Sequence, residues 1–140
     1  MRTIDRTRPV APARYEIDLG YYGGLDEQWW DPAGPAGLLH AMNRPRLGFY
    51  LGQLPDPRGL QVLDAGCGGG LVAKGLAEAG AVVTGLDLST GCLQVARRAV
   101  PHGFRPAAGR MERLPFAAGS FDAAVAADVL EHVPDLPAVV

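Results

Sequence analysis

The side chains best suited to chemistry in this chain each follow an apolar run. Asp64 follows Val62-Leu63, Asp87 closes Ala81–Leu86, and Asp128, Glu131 and His132 come after the alanine-rich stretch Phe121–Ala127. If the runs are buried parallel strands, all five polar groups stand at strand carboxyl ends, the edge where ligands collect in open α/β sheets. Between the first two acids lies Gly66-Cys67-Gly68-Gly69-Gly70, followed by Leu71, Val72, Leu76 and Ala79 at helical spacing. A strand, a glycine turn and a helix N-terminus form a site for a nucleotide-like ligand, because glycine lets the ligand approach the main chain. An acid at the end of the next strand can accept hydrogen bonds from both hydroxyls of a ribose. His132 is the candidate general base, since imidazole is the side chain that ordinarily titrates near neutral pH.

The glycine spacing narrows the ligand. A dinucleotide fingerprint starting at Gly66 requires a small residue where Leu71 stands, and a phosphate-cradling loop requires Gly-Lys-Ser/Thr, which Lys74 does not satisfy. Asp64-x-Gly66-x-Gly68-x-Gly70 remains, the pattern of S-adenosylmethionine (SAM) methyltransferases. Trp29-Trp30-Asp31-Pro32-x-Gly34, Leu39-His40-x-x-Asn43 and Arg46-Leu47-x-x-Tyr50 extend the resemblance. So do Gly80-Ala81-x-Val83-Thr84-Gly85-Leu86-Asp87 and Leu130-Glu131-His132-Val133-Pro134-Asp135. Over roughly residues 25–140 the chain resembles the class I ubiquinone-biosynthesis O-methyltransferases, which act on catechol-type and 2-polyprenyl-6-hydroxyphenol intermediates. A departure is Asn43-Arg44-Pro45-Arg46, where that family usually has proline directly after the asparagine.

The resemblance implies a Rossmann-like α/β sheet and SAM as cofactor. It assigns the methionine end to Asp64, Gly66, Cys67 and Gly68, the ribose to Asp87, and the adenine to Leu88 and Met111. The backbone at Ala127 is expected beneath the cofactor, and Arg46 aligns with the family's cofactor-site arginine. Relatives bind a divalent ion through an acid-x-x-Glu-His cluster, matched here by Asp128, Glu131 and His132, so magnesium is an optional second cofactor. The implied acceptor is a small phenol or catechol such as a polyprenylated ubiquinone precursor. Another small-molecule acceptor, or SAM binding without catalysis, are the alternatives. A nicotinamide-dependent reductase fits worst, because of Leu71.

The positioning elements follow in chain order. Residues 1–14 are rich in arginine and proline without apolar periodicity, and are expected to form a disordered basic arm. Residues 15–54 carry Tyr15, Tyr21, Tyr22, Trp29, Trp30, Phe49 and Tyr50 and a helical pattern through Leu38, Leu39, Met42 and Leu47, as expected of a helical lid or a helix packed on the sheet. Residues 55–140 form the α/β domain. Ser89 is placed to cap a helix with Leu93, Ala96 and Val100 inside. Phe104–Ala108, with Pro106 within it, should be an edge strand. Phe121–Ala127 reads as a buried strand with helices on both faces, and Pro134, Asp135 and Pro137 as the start of another helix.

At 140 residues the chain is one domain at most. A net charge of −2 gives no electrostatic case for nucleic acid. The chain contains no 18-residue apolar span. Cys67 and Cys92 lack paired spacing and read as free thiols of a cytoplasmic protein. Four strands are legible, fewer than the resemblance implies. The expectation is therefore an N-terminal fragment with the sheet truncated after its fourth strand, any peripheral membrane contact falling in the missing part.

Overall fold

The computed structural model describes residues 19–139, so the expected arm at 1–14 lies outside the described residues. Four parallel strands form one sheet: β1 (Gln61–Ala65), β2 (Val82–Asp87), β3 (Phe104–Ala108) and β4 (Ala123–Ala126), in the order β3-β2-β1-β4. Helices α3 (Leu71–Glu78) and α4 (Thr90–Ala99) make the crossovers on either side of β2. The chain thus runs outward from β1 to β3 and then returns to the other side of β1 for β4. That reversal opens a crevice at the carboxyl ends of β1 and β4, where ligands bind in doubly wound sheets. The Rossmann-like class I architecture expected from the sequence is the one observed.

Ahead of the sheet come α1 (Leu19–Gly23), a 3-10 turn over Asp26–Trp30, and α2 (Gly37–Gln53), which contains Pro45. Pro45 has no N–H to donate, and the helix continues through it. The main core joins Val62 and Val83 of the sheet to Val72 and Leu76 of α3, with Leu47, Tyr50 and Leu51 of α2 packed against them. A second cluster seats Trp29, Leu25 and Ala36 on Leu71, Cys92 and Val95. The opposite sheet face, through Leu63, Ala65 and Leu86, is covered by Met111, Phe116, Phe121, Val129 and Val133, all from loops and turns.

Ser89 caps α4 as expected, its hydroxyl accepting from the Cys92 amide at 3.2 Å. β3 lies at the sheet edge, where the Pro106 imino nitrogen breaks no ladder. Two expectations need correction. β4 is not a buried strand: it is the other edge, and of its residues only Val125 is buried. One face of β4, through Ala123 and Val125, joins the core under α3 and α2. The segment around Pro134–Pro137 does not open a regular helix, and folds instead as short 3-10 turns at Leu130–His132 and Leu136–Ala138.

Candidate ligand site at the carboxyl edge of the sheet

Strand alternation places Asp64 on the same face as Val62, the face on which α3 lies. Its carboxylate therefore sits beneath the first turn of α3, where the Ala73 amide donates to it. Helix N-termini favour anions, yet the residue is only 1% exposed, and its Oδ2 has no hydrogen-bond partner. Desolvation outweighs the Ala73 bond, and Asp87 nearby adds like charge that Arg46 only partly offsets. The Asp64 carboxyl is pushed up to about 7.

The glycine turn is fixed by backbone bonds from Gly66 and Cys67 to the Leu86 carbonyl, at 2.8 and 3.1 Å. Asp87 closes it from the other side: its Oδ2 accepts from Gly68 (2.9 Å) and its Oδ1 from Ser89 (2.9 Å). Gly68 has φ +51°, and a Cβ there would meet the Trp29 ring at 2.8 Å. Gly66 has φ +76° and presses against Val129. Only glycine fits both constraints at these positions. Cys67 turns inward, where a Cβ on Gly85 would come within 2.8 Å of its sulfur. Burial raises its thiol well above the ordinary value, so the cysteine is a packing group and not a nucleophile.

The N-terminal segment is tied to this turn by side chains of the motifs quoted above. Trp30 Nε1 donates to the Gly69 carbonyl (3.2 Å) and Asn43 Nδ2 to the Leu71 carbonyl (3.1 Å). His40 Nε2 donates to the Trp29 carbonyl (2.8 Å), and Trp29 Nε1 to that of Tyr22 (2.9 Å). Dense aromatics signalled packing in the sequence. That the packing partner is the glycine turn itself was not legible, because nothing local records a contact across 39 residues.

These elements surround one cavity of about 840 Å³. Arg46, Asp64, Gly66, Cys67, Gly68, Asp87, Leu88, Met111, Ala127, Asp128, Glu131 and His132 all line it, as do Leu38, Leu39 and Met42 of α2. Arg110 pairs with Glu112 at 3.0 Å. Arg46 on α2 pairs with Asp128 beyond β4, joining the lid to the far side of the cavity. Tyr50, one turn along α2, has its phenol raised, chiefly by burial. Arg46 opposes the shift, while Asp64 and Asp128 add to it.

The expected metal cluster is corrected here. Among the described residues no group of three His, Cys, Asp or Glu side chains is placed to hold an ion. Asp128 pairs with Arg46, the Glu131 side chain is 58% exposed, and His132 Nε2 stands 4.0 Å from Glu131 Oε1. In this arrangement the three side chains are not gathered into a magnesium site. His132 Nδ1 is buried without a hydrogen-bond partner, and the ring lines the cavity.

Residues 63–140 match a family model described as a methyltransferase domain. The chain is 38% identical over 141 residues to a ubiquinone biosynthesis O-methyltransferase from Xanthomonas oryzae, covering 96% of this chain and 57% of that protein. It is 39% identical over 130 residues to the protein of the same name from Idiomarina loihiensis, covering 88% and 52%. The chain thus spans little more than half the length of these relatives. Among solved structures it is similar to an S-adenosylmethionine dependent methyltransferase from Mesorhizobium loti. That match has a TM-score of 0.59 and 35% identity, covering 68% of this chain and 43% of that one. It is also similar to magnesium protoporphyrin IX methyltransferase from Synechocystis with bound SAH. The TM-score there is 0.57 and the identity 28%, covering 70% and 46%.

Proposed function

The chain belongs to the methyltransferase-domain family, and from that premise we propose that it binds SAM in the cavity at the carboxyl edge of the sheet. In the whole protein it serves an O-methyltransferase acting on a phenol or catechol such as a polyprenylated ubiquinone precursor. The observation that carries this reading is that Asp64, whose buried Oδ2 has no hydrogen-bond partner, and Arg46 line one cavity. An unsatisfied acceptor and a cation side by side complement a zwitterionic amino-acid end. The Asp87 carboxylate, pinned at the end of β2, suits a ribose. Similarity to ubiquinone biosynthesis O-methyltransferases supports the acceptor class.

When bound, SAM supplies a methyl group on a sulfonium, an electrophile needing no activation beyond alignment. The chain's residues supply the rest. Asp64, Gly66, Cys67, Gly68 and Arg46 hold the methionine end, Asp87 the ribose, and Leu88 and Met111 the adenine, with the Ala127 backbone beneath. Trp29 and α2 exclude water from the glycine turn. His132 takes the proton of the acceptor hydroxyl, and no step is assigned to a metal.

The test is mass spectrometry of products from the complete protein with SAM and a set of catechols and phenols. A methylated catechol is the expected result. Binding of SAM without any methylated product would leave the chain a binding module. For His132→Ala the expected loss in turnover is roughly 10²–10⁴-fold, with cofactor affinity unchanged.

A further inference from the structure

We infer that Asp128 is an internal substitute for the ligand's carboxylate: it pairs with Arg46 and must be displaced for a ligand with an amino-acid end to bind. The inference rests on the SAM-site reading above and adds a residue that tunes its selectivity.

Arg46 and Arg110 are the arginines lining the cavity, and Arg110 is paired with Glu112 on its own loop. Arg46 is the more enclosed, its side chain 14% exposed, and among the described residues the carboxylate bonded to it is that of Asp128. A guanidinium binds any carboxylate by the same fork of N–H donors, so a ligand carboxylate and Asp128 compete for it. Asp128 is the partner built to yield. It is 38% exposed, it stands on the edge beyond β4, and it takes φ +49°, an uncommon conformation for a residue other than glycine. Arg46 sits on helix α2, which is anchored through Asn43 to the glycine turn. Its position is therefore fixed relative to Asp64. The salt bridge also spans the cavity from α2 to the segment after β4. Replacing Asp128 by a ligand carboxylate exchanges one ion pair for another and leaves the lid attached through the ligand.

The discriminating experiment compares S-adenosylhomocysteine, which carries the amino-acid end, with 5′-methylthioadenosine, which lacks it. Calorimetric titration of the full chain would use wild type, Asp128→Asn, Arg46→Gln and the double variant. Asparagine keeps the shape of Asp128 and tolerates positive φ, so it removes the charge with little strain. Asp128→Asn should bind S-adenosylhomocysteine about 1.5- to fivefold more tightly, the range of a partly exposed ion pair. Its affinity for 5′-methylthioadenosine should not change, and in the Arg46→Gln background the gain should vanish. Equal or weaker binding of S-adenosylhomocysteine by Asp128→Asn overturns the inference, as does an equal gain for both ligands. Should wild type bind neither adenosyl compound, the SAM-site reading fails first, a result distinct from these.

Discussion

At the scale of single residues, Asp64 makes the strongest quantitative statement. Its carboxyl is near 7 in the folded chain, against about 3.9 for an unfolded aspartate. Between those values the folded state holds a proton that the unfolded state has lost. Stability from this group is therefore fully present below about pH 4 and falls as pH rises towards 7, by up to ~1.4 kcal/mol per pH unit. Denaturant midpoints measured from pH 4 to 8 should show that decline, and Asp64→Asn, which cannot titrate, should flatten it. The same group predicts proton release on binding. A cationic ligand end favours the ionised form, so SAM affinity should rise with pH up to about 7. Calorimetry in buffers of different ionisation enthalpy should then detect up to one proton leaving. Asp87 differs in kind: its oxygens already accept from Gly68 and Ser89, so it orders the turn as well as meeting the ligand. Asp87→Ala should cost roughly tenfold to a hundredfold in SAM affinity, as expected for lost bonds to a carboxylate. Unchanged affinity in a titration would take Asp87 out of the site.

The elements explain why these residues meet, and how far the sequence could reveal it. β1, the glycine turn, α3, β2 and the Ser89 cap were legible because each rests on local signals: apolar runs, positive-φ glycines and a capping hydroxyl three residues before its donor. The site acids were legible for the same reason, since a strand's end fixes where its last side chain stands. The metal cluster failed because spacing along the chain says nothing of a competing partner. Asp128 bonds to Arg46, 82 residues earlier, rather than turning towards Glu131 and His132. The lid's hold on the turn was hidden likewise, although its donors Trp30, His40 and Asn43 were all noticed. Gly68→Ala tests this coupling between elements. Its Cβ would strike the Trp29 ring in a backbone conformation that alanine avoids. The variant should keep its far-ultraviolet circular dichroism and lose SAM binding, and its tryptophan fluorescence should shift red as Trp29 leaves a 5% exposed position. Wild-type fluorescence and affinity would mean the turn and the lid are not coupled through that contact.

In the whole molecule, the cavity is where separately anchored parts converge: α2 through Arg46, the glycine turn through Asp64, β2 through Asp87 and the segment after β4 through Ala127 and His132. The two sheet faces are unequally held. Helices α2, α3 and α4 cover one, while loops and 3-10 turns cover the other. The Arg46–Asp128 pair joins α2 to the segment beyond β4. A ligand that fills the cavity should therefore stabilise the chain mostly by tying those two parts to the sheet. At a hundredfold excess over its Kd, S-adenosylhomocysteine should add about 2.7 kcal/mol to unfolding, by mass action alone. Thermal melts should rise accordingly with S-adenosylhomocysteine and stay unmoved by NAD, whose fingerprint Leu71 does not match. Hydrogen exchange then locates the effect. Protection should increase at α2 and at residues 128–133, where opening is cheapest, and change little in β1 and β2, whose amides are already buried. Protection confined to the glycine turn, with α2 unaffected, would show that the lid stands apart from the ligand and that its aromatics serve packing alone.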